Sequence, residues 1–339
     1  MLNHVPTYLE HQYNLYSREP KTDITNRCNI THYTVTIDNQ GNCFLCHCDG
    51  WLPISVGHIM DFNRLEDVWE NDIARTIQKD IDDKKFTWCS TDMCGIRNGW
   101  VYRQFYFVSI NTDESCNLRC PSCRIELIKK DKGPEYEKKV KWTTHIIQLL
   151  EKFKKPCHVV MSGNGDPLAS RVYRPFVLNM KPQKNISFQF KTNGLLMKKL
   201  LPKSQILSQI TEYSISVDAG DPDTYEKVRL GASWEQLIDN LDWLKDTAPK
   251  YFASVCLNFC FQNANFHSVV AFADLCKQYN FRGEVKVIEN WGTFKDFQKE
   301  NVLNSNHPNY ELALIELKKV ALQNISIYGD ASALVNFKD

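Results

Sequence analysis

Residues 105–123 read FYFVSINTDESCNLRCPSC. The first six, an aromatic and β-branched run, have the composition of a strand, and the loop that leaves them carries Cys116, Cys120 and Cys123 at C-x3-C-x2-C. Three thiolates at this spacing can wrap one corner of a cubane, yet a [4Fe–4S] cluster has four irons and ordinarily takes four thiolates. No fourth cysteine stands nearby, so one iron is left open to a small molecule. A zinc knuckle is the alternative, but a structural zinc site ordinarily closes with four protein ligands.

The chain around this stretch has 339 residues, about two domains on length alone. Hydrophobic residues make up 43% and charged residues 24%, which are globular values. With 41 basic against 40 acidic side chains, nothing in the bulk charge favours a polyanionic partner, and nucleic acid is unsupported. No run approaches the ~20 apolar residues that span a bilayer. The start, MLNHVPTYLEHQYNLY, lacks the charged-then-apolar pattern of a signal peptide, so a cytoplasmic protein without a membrane partner is expected. Thirteen cysteines are an odd count for a disulfide scaffold, and in a reducing compartment they read as metal ligands or catalysts.

Downstream of 105, short β-type runs alternate with longer helical ones. The strand candidates are FYFVSI (105–110), HVVMS (158–162), ISFQFKT (186–192), EYSISVD (212–218), FASVCLNFCF (252–261) and EVKVIE (284–289). Between them YEKKVKWTTHIIQLLEKF, LLMKKLLPKSQIL, SWEQLIDNLDWLKDT and HSVVAFADLCKQYN carry apolar residues near helical spacing. Alternating strands and helices predict an α/β protein with a parallel sheet in a (β/α)6 layout, two units short of a closed barrel. We expect a small module over 1–100, the partial barrel over 101–295 and a helical extension over 296–339.

Three adjacent strands have one polar face. Ser187, Gln189 and Lys191 alternate with Phe188 and Phe190; Ser214, Ser216 and Asp218 alternate with Ile215 and Val217; Ser254, Cys256, Asn258 and Cys260 alternate with Val255, Leu257 and Phe259. Either that face is the wet side of a two-layer sheet, or it lines an open barrel whose lumen holds a polar ligand. The motifs at the strand ends favour the second.

Those motifs resemble the radical S-adenosylmethionine (SAM) superfamily over roughly residues 103–290, beginning with the C-x3-C-x2-C loop. Gly163-Asn164-Gly165-Asp166-Pro167 is similar to the family's GGEP segment, where backbone and an acid receive the SAM ammonium. Lys191-Thr192-Asn193-Gly194 looks like the turn after the third strand. Ser216 and Asp218, followed by Arg229, resemble the stretch whose serine and arginine address the SAM ribose or carboxylate. The resemblance therefore implies a partial radical SAM barrel with Cys116, Cys120 and Cys123 on a SAM-binding [4Fe–4S] cluster. It implies SAM contacts from Gly163, Gly165, Asp166, Lys191, Asn193, Ser216, Asp218 and Arg229. The sequence departs from the family pattern at Ser122, at GNGDP for GGEP and at Ala219 after Asp218.

The first hundred residues resemble the twitch module, the shortened relative of the SPASM domain, which binds an auxiliary [4Fe–4S] cluster. Cys28, Gly41, Cys46, the Gly57-His58-Ile59 and Leu65–Trp69 segments, and the closing pair Cys89 and Cys94 carry the likeness, here placed before the barrel. The ligands it implies are Cys28, Cys46, Cys89 and Cys94. Cys43 and Cys48 flank Cys46, and zinc or ordinary buried thiols remain alternatives. Gly41 suits a hairpin tip with positive φ.

By resemblance, such an enzyme cleaves SAM with one electron to give a 5′-deoxyadenosyl radical, which takes hydrogen from a C–H bond. An electron donor such as flavodoxin or ferredoxin is implied. If the auxiliary cluster accepts an electron the outcome is oxidation; if a lumen thiol, Cys256 or Cys260, returns hydrogen the outcome is epimerisation. Three classes stand: oxidative modification of a peptide, modification of a sugar, aminocyclitol or other small polar metabolite, and a non-enzymatic iron–sulfur or zinc protein. The first is preferred.

Overall fold

The computed structural model describes residues 28–47, 51–90, 105–161, 165–321, 323 and 325–328. Its strands are β1 (Thr34–Ile37), β2 (Asn42–Phe44), β3 (Ser55–His58), β4 (Tyr106–Ile110), β5 (Cys157–Met161), β6 (Ile186–Thr192), β7 (Ile210–Ser216), β8 (Ser254–Phe261), β9 (Arg282–Val287) and β10 (Ser326–Tyr328). They form one sheet in the order β10-β9-β8-β7-β6-β5-β4-β1-β2-β3. The six expected strands, β4 to β9, lie side by side, each parallel to the next.

Helices supply the crossovers. The helix α2 (Pro134–Lys152) joins β4 to β5 and follows α1 (Asp72–Asp82) in the N-terminal part. It starts with Pro134 at its first position and Glu135 and Glu137 in the first turn, where the helix dipole favours acids. Trp142, Ile146, Leu149 and Leu150 then bury one stripe against the sheet. The LLMKKLLPKSQIL segment is predicted as a helix, but the α-helix covers only Met197–Leu200. A 3-10 turn follows at Leu201–Lys203, as Pro202 lacks the N–H that a longer helix needs. Next come α3 (Pro222–Val228), α4 (Trp234–Thr247) and α5 (Val269–Tyr279). Ser233 caps α4 by accepting from the Gln236 N–H, and Leu237, Leu241 and Leu244 are its buried stripe.

The alternation in the strands sorts the buried core face from an open polar face. Phe188 and Phe190 are fully buried under the helices, while Ser187, Gln189 and Lys191 face the open side. Tyr213 and Ile215 likewise oppose Glu212, Ser214 and Ser216. In β8, Asn258 and Cys260 are half-buried, but Cys256 is covered.

Two features of the described residues lie at the two ends of the sheet. Among the described residues, the strands of the cysteine-rich N-terminal stretch join the same sheet as the later ones, because β1 pairs in parallel with β4 from Thr34 opposite Phe107 to Ile37 opposite Ile110. All four residues of β1 are buried, so the strand needs cover on both faces, and the barrel sheet provides its edge partner. The expected boundary near 100 lies outside the described residues. The C-terminal segment, expected to be helical, contains α6 (Tyr310–Ala321) and also β10, which adds in parallel to β9.

Candidate functional site

The cysteine loop leaves β4 under tight control. The Asn111 N–H donates to the Ile37 carbonyl at 2.8 Å, continuing the β1–β4 ladder. The Lys139 ammonium donates to the carbonyls of Thr112 (2.7 Å) and Asn39 (3.0 Å). The Asp113 N–H donates to the Tyr173 hydroxyl at 2.9 Å, and Asp113 accepts from the Ser170 hydroxyl at 2.7 Å. Glu114 is held by Asn39 at 2.7 Å and by Lys130 at 2.8 Å. The N–H groups of Cys123 and Arg124 both donate to the Cys120 carbonyl, making the turn that returns Cys123 toward Cys120.

Cys116, Cys120 and Cys123 consequently line one cavity of about 510 Å³. Each sulfur meets a donor of this chain. Cys116 receives the Leu118 N–H (3.4 Å) and Asn193 Nδ2 (3.8 Å), Cys120 receives Arg229 Nη1 (3.6 Å), and Cys123 receives Arg124 Nη2 (3.5 Å). Burial, with the neighbouring Asp166, pushes the Cys116 thiol up to about 11. Burial also raises Cys120, against the pull of Arg229.

Gly165, Asp166, Lys191, Asn193, Ser216 and Arg229 border the same cavity. Asp166 does so with its carboxylate already engaged. One oxygen accepts from the N–H groups of Leu168 and Ala169 at 2.9 and 3.0 Å, the other from the Thr192 hydroxyl and the Asn193 N–H, both at 2.7 Å. It thereby ties the end of β5 to the turn after β6. Gly165 passes so close to the cysteine loop that a Cβ there would lie 2.4 Å from the Ser115 carbonyl oxygen. The glycine thus lets the chain after β5 approach the backbone of the cysteine loop closely. Gly163 lies outside the described residues.

Asp218 adopts a left-handed φ of +63°, a conformation aspartate tolerates better than most residues. One carboxylate oxygen accepts from the Cys260 N–H at 2.7 Å and the other from Arg229 Nη2 at 2.8 Å. The second arm of the guanidinium is the one on Cys120, while its buried Nε has no partner among the described residues. Lys191 borders the cavity, where desolvation and then Lys286 hold its ammonium below the usual lysine range. Cys256 and Cys260 lie four residues apart on β8, the first buried and the second half-buried, and burial pushes Cys256 up to about 12 and raises Cys260 as well.

Sequence reasoning missed Arg124, Lys139, Tyr173 and Trp291. Arg124 had a local signal, as it directly follows the last cysteine, and Trp291 borders the cavity with 70% of its surface exposed. Lys139 and Tyr173 reach the loop from 27 and 60 residues away, a distance that no local spacing records.

In the N-terminal part, Gly41 has the expected positive φ, +84°, and a Cβ there would strike the His58 ring. His58 accepts from the Met60 N–H and meets the Gln40 carbonyl, which are structural tasks. Cys43 is fully buried within β2. Cys28, Cys46 and Cys89 pack half-buried against the core. Cys48 and Cys94 lie outside the described residues. Among the described residues no group of three or more His, Cys, Asp or Glu side chains closes on a metal-sized point.

A family model described as the Radical SAM superfamily matches residues 110–276. The chain carries a radical SAM domain. Proteins of that superfamily use SAM and a [4Fe–4S] cluster, and the three thiols opening here on one cavity with a donor at each sulfur fit such a cluster. No curated protein matches the chain. Among solved structures, Streptococcus suis SuiB bound to its precursor peptide SuiA is similar at 13% identity and TM-score 0.46, over 76% of this chain and 62% of that one. Native anSMEcpe with bound AdoMet and Cp18Cys peptide follows at 16% identity and TM-score 0.44, over 65% and 62%. A radical SAM methyltransferase from Sphaerobacter thermophilus has 11% identity and TM-score 0.42, over 65% and 64%. The chain thus spans about three fifths of the length of these proteins. Among the described residues no helix is long and apolar enough to cross a membrane.

Proposed function

We propose that this chain is a radical SAM enzyme that modifies a peptide oxidatively, by cross-linking or dehydrogenation, with the help of an auxiliary [4Fe–4S] cluster. The reading is carried by the convergence of Cys116, Cys120 and Cys123 on one cavity with Asn193, Ser216 and Arg229. When bound, the cluster and SAM supply one-electron cleavage of a carbon–sulfur bond and a 5′-deoxyadenosyl radical that takes hydrogen from a C–H bond.

The chain's own residues hold and enclose these groups. The three thiolates bind the cluster, and Asp166 fixes the Thr192–Asn193 turn that faces it. Gly165, Lys191, Ser216 and Arg229 offer polar contacts to SAM around the same space. The cavity opens beside exposed Trp291, which suits one side chain inserted from an extended peptide. Cys28, Cys46, Cys89 and Cys94 are the proposed auxiliary ligands. An electron donor such as flavodoxin or ferredoxin supplies the electron, and the cytoplasm keeps these thiols reduced.

A second reading, epimerisation or dehydrogenation of a small polar metabolite, is favoured by the charged lumen. There Glu212 faces Arg282 at 3.6 Å and Glu284 faces Lys286 at 3.8 Å. Cys256 and Cys260, kept as thiols by their raised pKa values, are its hydrogen donors.

Anaerobic reconstitution tests the proposal. About eight iron and about eight sulfide per chain are expected, with 5′-deoxyadenosine formed from SAM under dithionite. Replacing Cys116, Cys120 and Cys123 together by alanine should halve the iron and abolish cleavage. Cleavage retained in that variant would overturn the assignment of the catalytic cluster to these three cysteines, and about four iron in the unmodified protein would overturn the auxiliary cluster.

A further inference from the structure

Two guanidinium groups from separate parts of the chain are aimed at two of the three thiols. Arg124 Nη2 lies 3.5 Å from Cys123 Sγ, and its Nη1 donates to the Glu114 carbonyl at 2.9 Å, so the side chain is clamped inside the loop that it follows. Arg229 arrives from the end of α3 and places Nη1 3.6 Å from Cys120 Sγ, with Nη2 on Asp218. Arg124 is 9% exposed, and the Arg229 side chain 12%. Neither position is one that a solvated surface arginine would take.

Burying a guanidinium removes it from water and is costly unless the site returns the loss. Asp218 returns part of it, but one carboxylate cannot satisfy a five-donor fork, and the Arg229 Nε is left without a partner among the described residues. Asp218 itself sits in a left-handed conformation, with its second oxygen on the Cys260 N–H. The strained, doubly bonded aspartate aims the arginine at Cys120. What gains from this arrangement is negative charge at the sulfurs.

We propose that Arg124 and Arg229 set the reduction potential of the cluster held by Cys116, Cys120 and Cys123, keeping it more positive than the thiolates alone would allow. The inference rests on the proposed function and adds a tuning role to its site. One-electron uptake places an additional negative charge on the cluster and its thiolates. N–H donors on the sulfurs and nearby fixed positive charge favour that reduced state, and such hydrogen bonds are among the determinants of cluster potential. Arginine suits the task because it stays charged at any working pH. Arg124 and Arg229 are therefore positioning residues whose effect is electrostatic, acting through Cys123 and Cys120.

The test is an EPR-monitored redox titration of reconstituted protein without SAM, comparing the unmodified chain with Arg124→Gln and with the double variant Asp218→Asn/Arg229→Gln. The double change removes both members of the buried pair and so leaves no isolated charge. Each variant should load iron as the unmodified protein does; Arg124→Gln, which removes a net positive charge, should show a midpoint at least about 59 mV more negative, a tenfold loss in the equilibrium constant for one electron, and the double variant, which loses the donor on Cys120 but no net charge, a smaller shift of the same sign. Arg124→Lys, which keeps the charge, should recover part of the shift; no recovery would assign the effect to the hydrogen bond instead of charge and overturn the electrostatic part. Normal iron with an unmoved or more positive midpoint would overturn the inference. So would a weakened SAM dissociation constant in the double variant with the potential unchanged, since Arg229 would then be a SAM contact only. Should the double variant fail to fold, Arg124→Gln alone decides. An unmodified protein that takes up no iron would overturn the functional reading itself, and the two failures are thereby told apart.

Discussion

The Lys139 ammonium lies 2.7 Å from the carbonyl oxygen of Thr112, across 27 residues of sequence. Its side chain is 1% exposed, and it donates at the same time to Asn39 in the turn before β2. One side chain of α2 thus fastens the N-terminal hairpin to the point where the cysteine loop begins.

Lys139→Met should leave both carbonyls without a donor and lower stability by about 2–4 kcal/mol. The loss should also depend on pH. Burial foremost, then Lys130, holds the Lys139 ammonium below its ordinary value of 10.5. In the window between the lowered folded value and 10.5 the unfolded chain binds more protons, so stability rises with pH there. The advantage of the unmodified protein over Lys139→Met in urea unfolding should therefore grow as pH climbs toward 10.5. A constant difference across that window would contradict the assignment.

Asp166→Asn tests a carboxylate surrounded by donors. An amide can accept on one side only, so its NH2 must oppose either the Leu168 and Ala169 N–H groups or Thr192 and Asn193. A stability loss on the order of 3 kcal/mol is expected, with SAM binding weakened tenfold or more as the turn shifts. Unchanged unfolding and SAM affinity together would show that the carboxylate ties nothing.

Gly165→Ala should act on the metal site without removing a ligand. The added methyl would stand 2.4 Å from the Ser115 oxygen and 2.6 Å from the Glu114 carbonyl carbon, and both are backbone atoms next to Cys116. Overpacking of this kind costs about 1–3 kcal/mol. Iron should be lost faster to a chelator than from the unmodified protein, and equal loss rates would refute the contact.

Cys260→Ser separates the two proposed outcomes. On the oxidative path the product is lighter by a pair of hydrogens, gains no deuterium from deuterium oxide, and forms at near-normal yield in this variant. Mass spectra that show one deuterium in the product, lost in Cys260→Ser but kept in Cys89→Ala, would replace oxidation by epimerisation.

The strands and the cysteine loop were legible because their signals are local. ISFQFKT gave β6 with both its boundaries, and the polar residues of its alternation are the less buried ones. The segment around Pro202 was misjudged, since apolar spacing spoke for a helix and one missing N–H outweighed it. The union of β1 with β4 was not readable: strand pairing across some seventy residues leaves no periodic mark in either segment. At the site, the sequence brought forward Asp166, Asp218 and Arg229, but not the bonds they make. Those depend on which backbone groups are left unpaired once the loops have closed, as with the Asn193 N–H on Asp166 and the Cys260 N–H on Asp218.

The shared β1–β4 ladder bears on how this protein can be cut. A chain shortened to begin at residue 105 would keep every residue of the matched family region, yet it would strip the partner from β4 along Phe107–Ile110. That strand would become a bare, apolar edge offering unpaired N–H and C=O groups to the next molecule, the condition in which sheets stack edge to edge and precipitate. The strand β1, with the hairpin it forms with β2, thus serves as a chaperoning flank for β4 and the parallel strands beyond it.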